Sequence, residues 1–298
     1  MKIGLVLSGG GMRGMAHIGA IHALEEHGII PTHIAGSSVG AVVGALYAYG
    51  YDWKEMLSFF RTIQIFELKR YAVNKPGIMD AEKFYSVFKL YLKEDNFSVL
   101  KKQLFVTATN VLNGKLAIFN TGELIKPILA SAAFPGIFAP VNINGSYYVD
   151  GGVLNNFPVD LLKNTCDVII GVYVNGFDTV VISDLKHSHN VVERVFKLKT
   201  VREDIKKFKK CDLIIYPKQL SKYGTFDKKY LDAIYKIGYD AANKELVNQQ
   251  LLNKIFPLKA VKSDNHHSKI ALRKRPLLKT PIHTQRMECD ECKANRTP

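Results

Sequence analysis

A chain of 298 residues with 47% hydrophobic content has length and apolar matter for one large domain or two small ones with an ample core, and its formal net charge of +14 points to an anionic partner: membrane surface, nucleic acid or acidic substrate. Cys166, Cys211, Cys289 and Cys292 are too scattered for a disulfide framework, which favours a reducing, cytoplasmic setting, and Cys166, just before a strand-like run, reads as a buried thiol. The few apolar positions before Ser8 are too short for a signal peptide, and no apolar run approaches the roughly 18 residues of a membrane span.

In chain order, Ile3–Leu7 is continuously apolar and predicts a strand buried on both faces. Ser8-Gly9-Gly10-Gly11-Met12-Arg13-Gly14 follows at once. Met15, Ile18, Ile21 and Leu24 then recur at helical spacing, and Gly28 supplies a C′ glycine. Gly9 to Gly14 is therefore a strand-to-helix turn rich in uncovered backbone N–H groups, a nest that stabilises negative charge. Gly9, Gly11 and Gly14 also match Gly-x-Gly-x-x-Gly, so a nucleotide phosphate competes with an oxyanion for this turn. The dinucleotide fingerprint expects an acidic residue about 20 positions on. Here the second strand ends in Ala35-Gly36-Ser37-Ser38 without one, which favours the oxyanion. Arg13 either adds a positive charge there or is a solvated first-turn residue.

His33–Gly40 reads as a short strand, then Gly36-Ser37-Ser38-Val39-Gly40, then a helix from Ala41 to Tyr49. Strand, tight turn and helix around Gly-x-Ser-x-Gly make a nucleophile elbow, with Ser38 at the corner and the glycines permitting close packing. The bland alternative is that Ser38 caps the helix. Both turns belong at the carboxyl ends of adjacent strands of one parallel sheet, where open α/β sheets place their sites.

Asp52–Phe66 and Asp80–Leu92 read as helices, each opened by an aspartate N-cap. Their aromatic residues, among them Trp53, Phe59, Phe60, Phe66, Tyr85, Phe88 and Tyr91, are core by default, and some are candidates for an acyl pocket. Leu104–Asn110 and Lys115–Asn120 are strands joined by an Asn113-Gly114 hairpin turn. A helix over Glu123–Ala133 leads into a constrained loop, Phe134–Pro140. The strand Tyr147–Val149 ends in Asp150-Gly151-Gly152. Asp150 is either a turn residue or the base that a serine hydroxyl needs to become nucleophilic. A hydrolase triad with His187 or His189 also remains open.

Val168–Val174 is another parallel-type strand, after a short helix at Pro158–Lys163. Val191–Lys210 is a long basic helix, a solvated face or a surface for anionic headgroups. Leu213–Tyr216 is a strand and Asp227–Leu252 an amphipathic helix. From 258 to 298 the chain is basic, poor in apolar residues and aperiodic, which predicts a disordered tail beyond a domain at 1–257. Cys289-x-x-Cys292 with His283 is half a zinc site without its second half.

Gly9–Gly14, Gly36–Gly40 and Asp150-Gly151-Gly152, in this order, together resemble the patatin-like phospholipases. Ala130–Gly136 and Asn155-Asn156-Phe157-Pro158 look like further blocks of that family. The resemblance covers roughly residues 1–250. It implies an α/β fold, a three-layer α/β/α sandwich around a mainly parallel sheet. It implies a Ser38–Asp150 dyad, an oxyanion hole at Gly9, Gly10, Gly11, Met12, Arg13 and Gly14 in which the amides around Gly10 and Gly11 hold the oxyanion and the Arg13 region helps, elbow glycines Gly36 and Gly40, and Gly151 and Gly152 behind the base. It implies a lipid ester substrate, no nucleic acid, and no metal or organic cofactor.

Overall fold

Strand β1 (Ile3–Leu7) sends Ile3, Leu5 and Leu7 into one core and Val6 into another. The same split separates Ile34 from Ala35 on β2 (His33–Ser37), and Val168, Ile170 and Val172 from Ile169 on β9 (Val168–Val172). Side chains alternate across a strand, so a sheet apolar on both faces must be covered on both. This is why the runs lack polar alternation, and it produces the three-layer α/β/α sandwich.

The protein is described by a computed structural model over residues 1–63, 71–177, 179–185, 188–225, 228–247 and 255, without the side chains of Ser188 and His189. These residues fall within one compact unit, Met1–Leu258. The predicted tail, with His283, Cys289 and Cys292, lies outside them, as do Phe66 and His187.

The remaining strands are β3 (Met79–Asp80), β4 (Gln103–Asn110), β5 (Leu116–Phe119), β6 (Phe138–Ala139), β7 (Val141–Ile143), β8 (Ser146–Asp150) and β10 (Leu213–Ile215). Eight of the strands form one sheet in the order β10-β9-β1-β2-β4-β8-β7, with β5 also on β4. From β10 to β4 the pairing is parallel, whereas β5 and β8 run antiparallel to β4 and β7 antiparallel to β8. The helices are α1 (Met15–Glu26), α2 (Val39–Tyr49), α3 (Trp53–Thr62), α4 (Tyr85–Tyr91), α5 (Ile125–Ser131), α6 (Gly152–Asn155), α7 (Ser188–Lys207) and α8 (Leu231–Leu246).

Local signals act as their chemistry requires. Asp52 and Glu55 make a reciprocal capping box at the start of α3, a cap that contributes about 1 kcal/mol. Asp80 caps the 3₁₀ turn that leads into α4. Gly28 follows α1 at φ 72°. Three expectations change. The loop Phe134–Pro140 contains β6, which pairs with β3, and β7 follows; strands of two or three residues carry no readable period. Helix α5 starts at Ile125 rather than Glu123, because Asp95 accepts hydrogen bonds from the N–H groups of Leu124 and Ile125. Cys166, expected to be buried, is half-buried.

Gly40 fixes how α2 meets β1. A β-carbon there would lie 2.3 Å from the Leu7 carbonyl oxygen and 2.7 Å from that of Ser8. Both are backbone atoms at the end of a central strand and cannot step aside. Gly40→Ala is expected to cost about 1–3 kcal/mol of stability, read as a lower unfolding midpoint in denaturant. An unchanged midpoint would show that the elbow tolerates a wider gap.

Candidate active site

Ser38 sits between β2 and α2 at φ 54°, ψ −129°, a conformation that L-residues avoid and that costs of order 1–3 kcal/mol. The surroundings hold it there. Its N–H donates to the Ser131 hydroxyl at 2.9 Å, and its carbonyl accepts from Ala41 and Val42 at 2.9 and 3.2 Å. The hydroxyl therefore projects from the corner at the N-terminus of α2, whose dipole favours negative charge.

Asp150 ends β8 and is 2% exposed. Its carboxylate accepts a hydrogen bond from the Gly152 N–H at 2.7 Å, and the Ser38 hydroxyl stands beside it in the same cavity as a second donor that favours its ionised form. Burial pushes its carboxyl up to about 7, against the pull of those two donors. The turn after α5 ties the two groups together. Ser131 takes the Ser38 N–H on its hydroxyl and the Gly151 N–H on its carbonyl, and Ala133 takes the Asp150 N–H at 3.0 Å.

The glycine turn is pinned at most of its polar atoms. The Gly9 carbonyl accepts from the Asn175 amide at 2.8 Å and the Ser8 hydroxyl at 3.1 Å. Arg13 Nε donates to the Gly10 carbonyl at 3.1 Å. The Gly9 N–H donates to the Asn156 carbonyl and the Met12 N–H to the Thr225 carbonyl. Among the described residues the N–H groups of Gly10 and Gly11 meet no protein acceptor. Gly11 is at φ 59°, and a β-carbon on it would strike the Thr225 carbonyl at 2.2 Å, so this position accepts only glycine.

Within the expected set the residues differ in what they already bond. The amides of Gly9 and Met12 are spent on structure, and Gly14 serves packing, since a β-carbon there would meet Val39 at 2.4 Å. Gly10 and Gly11 are the amides left to receive an anion. Arg13 is also not the solvated residue of the first-turn alternative. It is 1% exposed, bonded to Thr225 at 2.8 Å and to Glu193 of α7 at 3.4 Å, and its Nη1 has no protein partner among the described residues. Burial lowers its pKa and the Glu193 carboxylate opposes that shift.

A cavity of about 140 Å³ opens at Ser38, Asp150, Gly10 and Gly11. Its lining is mostly aromatic and aliphatic, with Phe59, Phe60, Phe84, Phe88, Phe134 and Phe138 prominent, and also carries Arg13, Glu193 and Lys197. Of the candidate pocket aromatics, Phe59, Phe60 and Phe88 line it, whereas Trp53 stacks on His22 and Tyr235 away from it. Among the described residues no histidine lines it, and the side chains of the triad candidates His187 and His189 lie outside them. His17 Nε2 instead donates to the Ser8 carbonyl at 2.8 Å, and burial lowers its pKa to about 4.

The model of the patatin-like phospholipases matches residues 5–163. The chain belongs to the patatin-like phospholipase family. It is 36% identical over 181 residues to an uncharacterized NTE family protein of Mycobacterium bovis, covering 59% of this chain and 49% of that one. It is 33% identical over 194 residues to the lysophospholipase NTE1 of Meyerozyma guilliermondii, covering 59% of this chain and 13% of that one. The chain thus spans about half the mycobacterial relative and a small part of the yeast one. Its fold is similar to that of VipD from Legionella pneumophila, at TM-score 0.55 and 16% identity over 83% of this chain and 67% of that one.

Several residues that this patatin-like chain brings to the site were not among its expected site residues. Asn156, marked in the sequence only as part of a family block, links the glycine turn to α7: its carbonyl holds Gly9, and its amide donates to Asp204 of α7 at 2.8 Å. Tyr173 donates to the same carboxylate at 3.1 Å. Glu193, Lys197 and Thr225 arrive from elements far along the chain, and only a helical projection of α7 would have placed Glu193, Lys197 and Asp204 on one face.

Proposed function

We propose that this chain is a serine lipid acyl hydrolase that cleaves fatty-acyl esters of phospholipids or related lipids through a Ser38–Asp150 dyad. One observation carries the reading: the Ser38 hydroxyl, the buried Asp150 carboxylate and two unspent backbone amides meet in one aromatic-lined cavity. Asp150 takes the proton as Ser38 Oγ bonds to the ester carbonyl carbon. The carbonyl oxygen becomes an oxyanion held by Gly10 and Gly11, donors of a kind whose loss typically costs about a hundred- to a thousandfold in rate. The carbon–oxygen bond to the leaving alcohol breaks, and the alcohol leaves with the proton from Asp150. A water that gives its proton to Asp150 then attacks the acyl-enzyme and frees the fatty acid and Ser38.

The substrate assignment follows from the cavity. Its phenylalanine wall suits an acyl chain, and Arg13 and Lys197 suit the polar end of a lipid. Residues 1–257 form the hydrolase domain in this reading. The charge of +14 draws the protein to anionic lipid.

A long-chain fluorophosphonate tests this. One equivalent should bond to the protein, map to the peptide containing Ser38, and be competed by a long-chain ester. Absence of labelling, together with thermal stabilisation by NAD or ATP, would replace the reading with nucleotide binding at the glycine turn.

A further inference from the structure

Helix α7 departs from the usual pattern: it buries Val201 and turns Phe196 to the cavity, but its innermost line is otherwise polar and several of its aliphatics face out. A helix on a soluble protein turns its apolar stripe inward and its charges outward. Here the line Glu193, Lys197, Thr200, Asp204 faces in: Glu193 pairs with Arg13 and Lys197, and Asp204 holds Asn156 and Tyr173. At 100° per residue, the line Val191, Val195, Leu198, Arg202, Ile205 points the opposite way. Its aliphatic members are 44, 59, 51 and 45% exposed, and Arg202 is exposed between them.

The inward charges are explained by the site, because Glu193, Phe196 and Lys197 wall the cavity. The outward aliphatics stand about half exposed, Val191, Val195 and Leu198 on the open surface and Ile205 at the edge of a second hollow with Phe177, Phe208 and Tyr216. We propose that this outer face seats α7 on an anionic phospholipid bilayer, with Val191, Val195 and Leu198 entering the boundary between headgroups and acyl chains.

Charge selects this occupant. Arg202 lies on the apolar line itself, and the exposed Lys199, which donates to the Val153 carbonyl at 3.3 Å and keeps its charge, flanks it, whereas Lys206 is paired with Glu203; cations beside exposed aliphatics are the pattern of an interfacial helix that meets anionic headgroups. A second copy of a chain carrying +14 would bring cations against cations. The turn leading into α7 adds two insertable side chains, Val181 and Ile182, at 61 and 86% exposure. The notion of α7 as simply a basic surface is thereby revised. Lys207 and Lys210 pair with Asp160, and Lys197 with Glu193, so aliphatic residues rather than lysines dominate the free face.

The choice of a lipid bilayer rests on the acyl-hydrolase reading, whereas the orientation of α7 does not. The consequence is mechanical: the element against the membrane also holds Arg13, and Arg13 holds the Gly10 carbonyl beside the oxyanion amides.

The test uses full-length Ser38→Ala protein, so that binding is read without turnover, and sedimentation with vesicles of phosphatidylglycerol and phosphatidylcholine. The parent should bind mixed vesicles at least tenfold more tightly than pure phosphatidylcholine. Val195→Asp/Leu198→Asp should lower binding to mixed vesicles about tenfold or more, with its thermal midpoint unchanged because both sites are exposed. Ile118→Asp, an exposed aliphatic on β5, should bind like the parent. Parental binding by the double variant, or loss of binding equal in Ile118→Asp, overturns the proposal. So does a change from dimer to monomer on introducing the two aspartates, which would make the face a contact between copies. Hydrolysis of a soluble ester by the wild type without vesicle binding would sink this proposal alone. Vesicle binding without hydrolysis of any ester would sink the acyl-hydrolase reading alone.

Discussion

Ser38→Ala is expected to abolish fluorophosphonate labelling and to lower ester turnover by about four orders of magnitude or more, the scale of loss when a serine nucleophile is removed. Ser38→Gly should be as inactive and yet unfold at a temperature about 2–4 °C above Ser38→Ala. The reason is the backbone at φ 54°, ψ −129°. Alanine inherits that strain; glycine does not, and its extra freedom in the unfolded chain, about 0.5–1 kcal/mol, is smaller than the strain relieved. The corner thus holds a residue chosen for chemistry over stability. Thermal unfolding of both variants beside a turnover assay decides the matter. A glycine variant less stable than the alanine one would mean that Ser38 is not strained, and labelling retained in Ser38→Ala would put the nucleophile elsewhere.

The second large effect concerns Asp150, whose carboxyl is raised by burial from the ordinary 3.8 to about 7. A base acts in its ionised form, so turnover should rise with pH through about 7 and level off above it. Asp150→Asn should lose about a thousandfold or more in turnover, and what remains should no longer follow that limb. Stability moves the other way. Between about pH 4 and 7 the folded protein holds a proton that the unfolded chain has released, so stability falls as pH rises through this window. Asparagine removes the buried charge and can still accept the Gly152 N–H. The variant should therefore unfold at a higher temperature than wild type above pH 7, and the two should converge below pH 4. A wild-type profile already flat from pH 5 to 8 would contradict an elevated pKa. Full activity in Asp150→Asn would leave the base to another group.

Much of this was legible in the chain because it is written locally. The run Ile3–Leu7 has no polar alternation, and only a strand covered on both faces needs that. Glycines at 36 and 40 bracket Ser38 because the elbow brings backbone within contact distance of backbone. Asp150 was visible as a residue but ambiguous as a base. Its pairing with Ser38 depends on β8 running antiparallel to β4 while β2 runs parallel to it, and topology of that kind leaves no mark at either residue.

The sequence by itself determined the parallel sheet, the glycine turn, the strained corner and the order of the three motifs, since each follows from contacts among near neighbours in the chain. Only the tertiary structure decided which amides of the turn remain unspent, that Ser131 and Ala133 tie hydroxyl to carboxylate, and that α7 turns its charges inward. Those outcomes depend on groups 90 to 200 positions apart becoming hydrogen-bond partners, such as Ser38 with Ser131 and Arg13 with Glu193. A local pattern states which donors and acceptors a segment carries. Packing alone states which of them find each other and which are left for a substrate.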